Sequence, residues 1–307
     1  MSSGLLLVDK PEGVRSTDCV GRVRRTLGRG TRVGHAGTLD STASGLLIVL
    51  VGAATRLSDY VMRLSKTYRA MVCLGSETDT CDATGRVIFR GDAGWVDEAA
   101  FDRVLPSFWG VRMQRPPEIS ALKVGGEPSH RLARSGRGGL LPKRPAWMES
   151  VRRRSPLEDG RAEIEVVCGK GVYIRSLVRD IGARLGCGAH VEALRRLSIG
   201  PFRVSEALSD LEGLASAPLR SPREVAAAFQ RVLLTEEAEA RLLNGLPVAL
   251  RDAGRCVPGA VGLQDGLCVE GRGMIGFIGR EPAEGERGEV LLRPRANISV
   301  RDEAEGT

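Results

Sequence analysis

Apolar residues recur along this chain in two rhythms, one of period two and one near 3.6, and the switches between them mark out its elements. Gly4 to Val8 is a short aliphatic run that breaks at Asp9-Lys10-Pro11-Glu12-Gly13, which predicts a strand entering a turn. Val20, Val23 and Leu27 follow at helical spacing behind Ser16-Thr17-Asp18, a set of N-cap candidates, with Arg22, Arg24 and Arg25 elsewhere on the helix and Gly28 to end it. Leu46 to Val51 has the length and branching of a buried strand, and Tyr68 to Leu74 and Ala162 to Val167 also read as strands. Val87 to Phe89 is a candidate partner for the Tyr68 strand, with Ser76 to Gly85 as a polar loop between them. Helical patterns return at Val96 to Leu105, Arg175 to Leu185 and His190 to Leu197.

Leu214 to Arg223, with its Ala, Ser and Pro, is the best linker candidate. Thr235 to Asn244 then reads as a short capped helix stopped by Gly245. Beyond it, short strands alternate with glycines at Gly259 to Leu263, Leu267 to Val269, Met274 to Ile278 and Val290 to Leu292, a spacing that suggests a small β-barrel or β-rich module.

With 307 residues the chain is long enough for one large domain and a smaller one. Its longest apolar stretch, Leu46 to Ala54, is interrupted by Gly52 and too short for a bilayer, and Met1-Ser2-Ser3-Gly4 lacks the regions of a secretory signal. A cytoplasmic address and no membrane partner are expected. Seven cysteines stand singly without a Cys-x-x-Cys pair, and His35, His130 and His190 lie far apart, which argues for reduced thiols and no metal site. The net charge of +7 favours a polyanionic partner, because each neutralised phosphate releases condensed counterions, although a plain basic protein shows the same balance. Lys123, Arg131, Arg134, Arg137, Lys143 and Arg144 lie among glycines with few core-forming residues, and this stretch reads as a mobile basic excursion from the main domain.

The densest chemical signal is Gly34-His35-Ala36-Gly37-Thr38-Leu39-Asp40-Ser41-Thr42-Ala43-Ser44-Gly45. Glycines on both sides of Asp40 let backbone approach a ligand and take unusual torsions, although a lone Asp in such a loop is more often a turn residue. The segment resembles the signature of the TruB family of tRNA pseudouridine synthases, Gly-His-x-Gly-x-Leu-Asp-Pro-x-Ala-x-Gly, with Ser41 where the family usually has Pro. Four further stretches resemble the same family in the same order. They are Asp9 to Gly13; Lys66-Thr67-Tyr68-Arg69 with Leu74 to Gly85; Gln114 to Lys123, where Ile119 replaces the usual Tyr; and Gly169 to Leu177 with Gly188 to Arg196. The resemblance covers residues 4 to 202 firmly and the remainder only in general pattern.

Membership would imply an α+β (mixed α/β) fold, with a catalytic domain around an extended mixed sheet over residues 1–213 and a basic RNA-clamp insertion at about 123–146. A linker over 214–232 and a β-rich, PUA-like RNA-binding domain over 233–307 would follow. It would also imply isomerisation of the uridine at position 55 in the T loop of tRNA, with the T arm bound and no guide RNA; a monomer is expected, although the residues themselves do not read out oligomeric state. Pseudouridine forms when the bond from uracil N1 to the ribose breaks, the base turns, and the sugar is rejoined through C5. Reactant and product are isomers, so no cofactor is expected.

By motif position Asp40 is the catalytic carboxylate, either as nucleophile towards the sugar or as base for a ribose proton. Arg175 is expected to hold it through a charge-assisted pair, bidentate in the fullest case. Tyr68 offers a flat face for an extruded base and a hydroxyl for proton transfer. Tyr173 and Leu194 are candidate pocket walls that would equally suit a plain core. His35 is a candidate contact for the flipped nucleotide, or a loop His satisfied by local backbone. Lys10, Lys66, Arg69 and Lys123 are candidate phosphate contacts, against a reading as solvated surface. Two rival functions are an RNA-binding or RNA-folding chaperone of the same fold, and a base hydrolase that turns Asp40 against water.

Overall fold

Ala43–Val51 carries one polar side chain, Ser44, and eight of its nine residues are buried, the pattern of a strand covered on both faces. The computed structural model places this segment inside a nine-stranded mixed sheet. It describes residues 3–28, 30–120, 122–124, 127–128, 139, 141–210, 213, 217–261, 267–278, 283–284 and 290–300. The strands are β1 (Gly4–Lys10), β2 (Val33–His35), β3 (Ala43–Val51), β4 (Lys66–Leu74), β5 (Gly110–Gln114), β6 (Arg144–Arg153), β7 (Arg161–Cys168), β8 (Ala189–Ile199) and β9 (Phe202–Arg203). Their order is β1-β3-β8-β4-β7-β6-β5, with β2 paired to the end of β3 and β9 to the end of β8. Only β3 and β8 run parallel among these pairs; they meet at Leu194↔Ala43, Arg195↔Ser44 and Arg196↔Gly45.

Helices cover the sheet where its apolar alternation demands it. One face packs α3 (Glu98–Val104) and α4 (Ile174–Leu185) over Val72, Ile164, Val166 and Met148, with Phe101 and Ile181 at its centre. On the amino-terminal side, Cys19, Val20 and Val23 of α1 (Ser16–Leu27) lie against β1 and β3. The other side of β1 and β3 meets α2 (Ser58–Arg63) and the carboxy-terminal module.

That module carries α5 (Arg223–Ala227), α6 (Glu236–Leu243) and a five-stranded sheet, β11-β10-β12-β13-β14, made of β10 (Arg231–Leu234), β11 (Gly254–Val257), β12 (Leu267–Glu270), β13 (Met274–Ile278) and β14 (Pro294–Ser299). Thr235 caps α6, its hydroxyl accepting from the Ala238 amide at 3.2 Å. Aromatic packing joins the module to the main sheet. Tyr60 and Phe277 have ring centroids 4.0 Å apart, and Phe229 meets Phe277 edge-on at 5.3 Å. Phe229 and Phe277 are wholly buried. Phe277→Ala should therefore cost about 3–5 kcal/mol in chemical denaturation, through lost transfer energy and the cavity left behind.

Several elements depart from the pattern reading. His190 to Leu197 is not a helix but most of β8. Its Ala, Leu, Glu and Arg favour helix, yet backbone pairing on both sides holds it extended, and register shifts at Val191/Ala193 and Arg196/Ser198 break the alternation that would have marked a strand. Val87–Arg90 pairs with Ser76–Thr78 and not with the Tyr68 strand, so the polar loop holds a hairpin arm. The cap of α1 is Arg15, whose amide donates to Asp18 at 3.2 Å; Ser16 lies inside the helix and serves elsewhere. In the Gly259 to Leu263 stretch, Val261 makes only an isolated bridge to Phe229, and residues 262 and 263 lie outside the described residues. The linker candidate is tied down at Arg220, which exchanges backbone hydrogen bonds with Leu5 on the edge of β1. Among the described residues, no helix is long and apolar enough to cross a membrane.

Candidate active site

The Asp40 loop runs from β2 to β3, and its position follows from a close backbone approach. Gly45 has φ +106°, and a Cβ there would lie 2.3 Å from the Arg196 carbonyl oxygen. Glycine thus lets β8 lie against the start of β3. The loop is then fixed from the other side by α1 and the Pro11 turn. The Ser16 hydroxyl accepts from the Leu39 amide at 2.9 Å and donates to the Leu39 carbonyl at 2.8 Å. The Gly13 amide donates to the Ser41 carbonyl at 2.7 Å, which anchors Ser41 where the family pattern would place a ring. Asp40, held between these two anchors, keeps a side chain 42% exposed.

Arg175 reaches Asp40 from the first turn of α4, Nη2 to Oδ2 at 2.7 Å, while its own side chain is only 6% exposed. The pair is not bidentate. Nη2 also donates to the Ile119 carbonyl at 3.0 Å, and Nη1 turns away to the Thr80 carbonyl at 2.9 Å and the Asp82 carboxylate at 3.5 Å. Asp82 is a member that motif reading quoted without assigning. Its Oδ1 accepts from the hydroxyls of Thr80 and Thr84, at 2.7 and 2.6 Å, and from the Thr84 amide at 3.1 Å. Cys81, at φ +59°, makes the turn that aims both Thr80 and Asp82 at the guanidinium. Ile119, the residue that departs from the family pattern, contributes here through its backbone, so its side chain is immaterial to this contact.

Tyr68, Tyr173 and Leu194 gather around this pair. Asp40 is close enough for its charge to act on both phenols. Burial pushes the Tyr68 phenol up, against the opposing Arg196 guanidinium, and pushes up Tyr173, against the opposing effect of Ser120 beside it. The Tyr173 backbone is clamped at both ends by Gln114, whose Nε2 donates to its carbonyl at 3.0 Å and whose Oε1 accepts its amide at 2.9 Å. Leu194 lines a small hollow of about 40 Å³ with Thr42, Asp82 and Arg175. The larger cavity of about 1190 Å³ lies elsewhere, between Trp147, Lys170, Arg63 and Arg220, and holds none of these groups. His35 ends β2 just before the loop; its Nδ1 is buried and has no hydrogen-bond partner among the described residues. Burial and then Arg196 lower its pKa, which favours the neutral ring.

The four phosphate candidates fare differently. Lys10 is wholly buried, and its ammonium donates to the carbonyls of Pro11 and Val14 at 2.8 and 2.7 Å. Lys66 is buried and donates to Leu64 at 2.6 Å and to the Met62 carbonyl. Both close turns from within, so neither has an ammonium facing solvent for a phosphate. Arg69 is exposed but follows Tyr68 on a pleated strand, so it projects from the opposite face and pairs with Glu163 at 3.6 Å. Lys123 heads a two-residue strand paired with Glu127–Pro128, and its side chain and most of the 123–146 excursion lie outside the described residues. His190 is held by Ser76, its Nδ1 donating to the Ser76 carbonyl at 3.1 Å. Among the described residues no three His, Cys, Asp or Glu side chains gather as metal ligands would.

Burial of Lys66 pulls its pKa down to about 8 from 10.5, with Arg196 adding to the effect. Below pH 8 both folded and unfolded chains hold the proton, and the folded one bears the cost of burying it. Between about pH 8 and 10.5 the unfolded chain alone keeps it, so stability rises with pH. Across that window wild type should gain up to about 3 kcal/mol relative to Lys66→Met, measured by denaturation of both.

Residues 24–174 match the TruB family pseudouridylate synthase N-terminal domain, and residues 175–238 match the tRNA pseudouridylate synthase B C-terminal domain. A protein of Ruegeria pomeroyi named tRNA pseudouridine synthase B is 41% identical over 252 residues, which is 80% of this chain and 82% of that one. Its namesake from Gluconacetobacter diazotrophicus is 42% identical over 281 residues, 89% and 90% of the two chains. Among solved structures, a Cbf5-Nop10-Gar1 complex matches with a TM-score of 0.69 at 22% identity, over 95% of this chain and 84% of that chain. An H/ACA RNP bound to a substrate RNA containing 2'-deoxyuridine matches with a TM-score of 0.66 at 21% identity, over 95% and 84%. At such identities the structural likeness speaks to the fold alone.

Proposed function

The chain belongs to the TruB family and is a pseudouridine synthase acting on tRNA, and we propose that it isomerises the T-loop uridine at position 55 with Asp40 as the reacting carboxylate. One observation carries this reading. Asp40 is half-exposed on a loop anchored at Leu39 and Ser41, while the cation that holds it is buried and fixed by three further acceptors. Such a carboxylate is positioned without being enclosed, as a group that must meet a ribose requires.

A uridine stacked in a folded arm cannot bring its sugar to Asp40, so the nucleotide must be extruded first. Tyr68 then offers its ring to the base, Leu194 an apolar wall, and Arg175 holds the carboxylate while charge shifts during cleavage of the N1 bond. A single chain holds every one of these groups, and we read the enzyme as a cytoplasmic monomer that needs no guide RNA. The 123–146 excursion and the carboxy-terminal module, PUA-like by resemblance, are the segments we assign to gripping the T arm outside the pocket.

The test is to treat an unmodified tRNA transcript with the purified protein and map pseudouridine at single-nucleotide resolution, while following release of the C5 hydrogen and of free uracil. One modified position in the T loop, with hydrogen release and no free uracil, is expected. Free uracil would mark a hydrolase, and neither product a binding protein; modification elsewhere would overturn the assigned target.

A further inference from the structure

Arg196 is the largest fully buried side chain among the described residues, at 1% exposure. It stands in register with Tyr68 across the β8–β4 pair. Its Nε donates to the Leu46 carbonyl at 2.7 Å and its Nη2 to the Gly37 carbonyl at 3.1 Å, and the guanidinium is close enough for its charge to act on the Tyr68 phenol. Among the described residues it therefore donates to two carbonyls and neighbours a phenol, with no carboxylate ion pair. A cation taken out of water without a counter-charge is costly, and one kept beside a reacting pocket is placed where negative charge can form.

A guanidinium has only donors, so towards Arg196 the Tyr68 oxygen can act only as acceptor. The phenol's own proton is then available to the reaction, and Asp40 is near enough for its charge to act on the ring. We infer that Arg196 is a positioning residue for the chemistry at the uracil ring, fixing the Tyr68 hydroxyl and stabilising the phenolate that forms when it gives up its proton. This rests on the function proposed above. As the N1–C1′ bond breaks, its electron pair stays with the base and N1 takes the Tyr68 proton. The base turns, and the electron pair of its C5–C6 double bond forms the C5–C1′ bond as Asp40 leaves C1′, or returns the ribose proton it took, and ends as the free carboxylate. The phenolate then takes the C5 proton, and the electron pair of that bond restores the ring's double bond. Tyr68 finishes as a phenol, and no other reactant is consumed. Besides Arg196 on β8, the ionisable groups facing the phenol are Cys168 on β7 and Asp40 on its loop.

The experiment is single-turnover isomerisation of tRNA carrying deuterium at uridine C5, with wild type, Arg196→Lys, Tyr68→Phe and the double variant. Arg196→Lys should slow the reaction about 10- to 100-fold and leave tRNA affinity within about threefold, because the loss falls on proton transfer and not on binding. Its C5 isotope effect should exceed that of wild type. In the Tyr68→Phe background the same substitution should add no more than about twofold, since it acts through the missing hydroxyl. Wild-type speed in Arg196→Lys, an unchanged isotope effect, or a full further loss in the double variant would overturn the inference. Should Arg196→Lys not fold, 3-fluorotyrosine at position 68 supplies the reading: the more acidic phenol must displace the pH–rate profile, and an unmoved profile sinks the idea. A wild-type protein that makes no pseudouridine at all would instead remove the proposed function.

Discussion

Asp40→Asn is expected to give a folded protein that binds tRNA and makes no detectable pseudouridine, a loss on the order of 10⁴-fold or more in single-turnover rate. The amide is nearly isosteric, and the loop is held through Leu39 and Ser41, neither of which uses the Asp40 side chain. Arg175 retains Thr80, Ile119 and Asp82 as partners, so the fold keeps most of its contacts there. On the proposed reading, what disappears is the negative oxygen that either attacks the sugar or takes its proton, and an amide does neither. Thermal denaturation and tRNA binding separate this outcome from misfolding. Pseudouridine at an ordinary rate in the asparagine variant would end the assignment of Asp40.

Arg175→Lys should lower the isomerisation rate by about 10²- to 10³-fold, although the charge is conserved. The planar fork spans two carboxylates and two carbonyls from different loops, and one ammonium cannot reach all four. Arg175→Met removes the charge altogether and leaves Asp82, 7% exposed, without its cation. Breaking a buried pair in this way should destabilise the protein by about 3–5 kcal/mol, against about 1–2 kcal/mol for the lysine variant. Urea titrations of both variants, set beside their rates, would show which share of the loss is structural. Near-normal turnover of Arg175→Lys would dispose of the shared-fork geometry.

The parts of this arrangement legible in the sequence were the local ones. Asp40, Tyr68 and Arg175 each sit in a short motif, and β3 and α4 announce themselves through unbroken apolar length or helical spacing. The unread parts depend on distant partners. Arg196 looks like one more surface cation until the carbonyls of Gly37 and Leu46, some 150 positions away, are brought to it. Lys10 and Lys66 read as phosphate ligands because a lysine is seldom wholly buried; here turn carbonyls accept their protons. Arg69 fails for a simpler reason, since the pleat that brings Tyr68 into the pocket sends its neighbour out of it. The strand at β8 was hidden by two bulges and a helix-forming composition, and Asp82 by lying in a turn where a carboxylate would ordinarily face water.

The pairing of residue 43 with residue 194 bears on how the molecule comes into being. Contacts of such long sequence separation are the slow steps of folding, because a long loop must close before they reward it. A nascent chain released by the ribosome only as far as residue 170 carries Asp40 but neither its arginine nor the strand that backs its loop. With Asp40 as the proposed reacting carboxylate, reactivity towards RNA is therefore withheld through synthesis of the first half of the protein and arrives together with completion of the sheet.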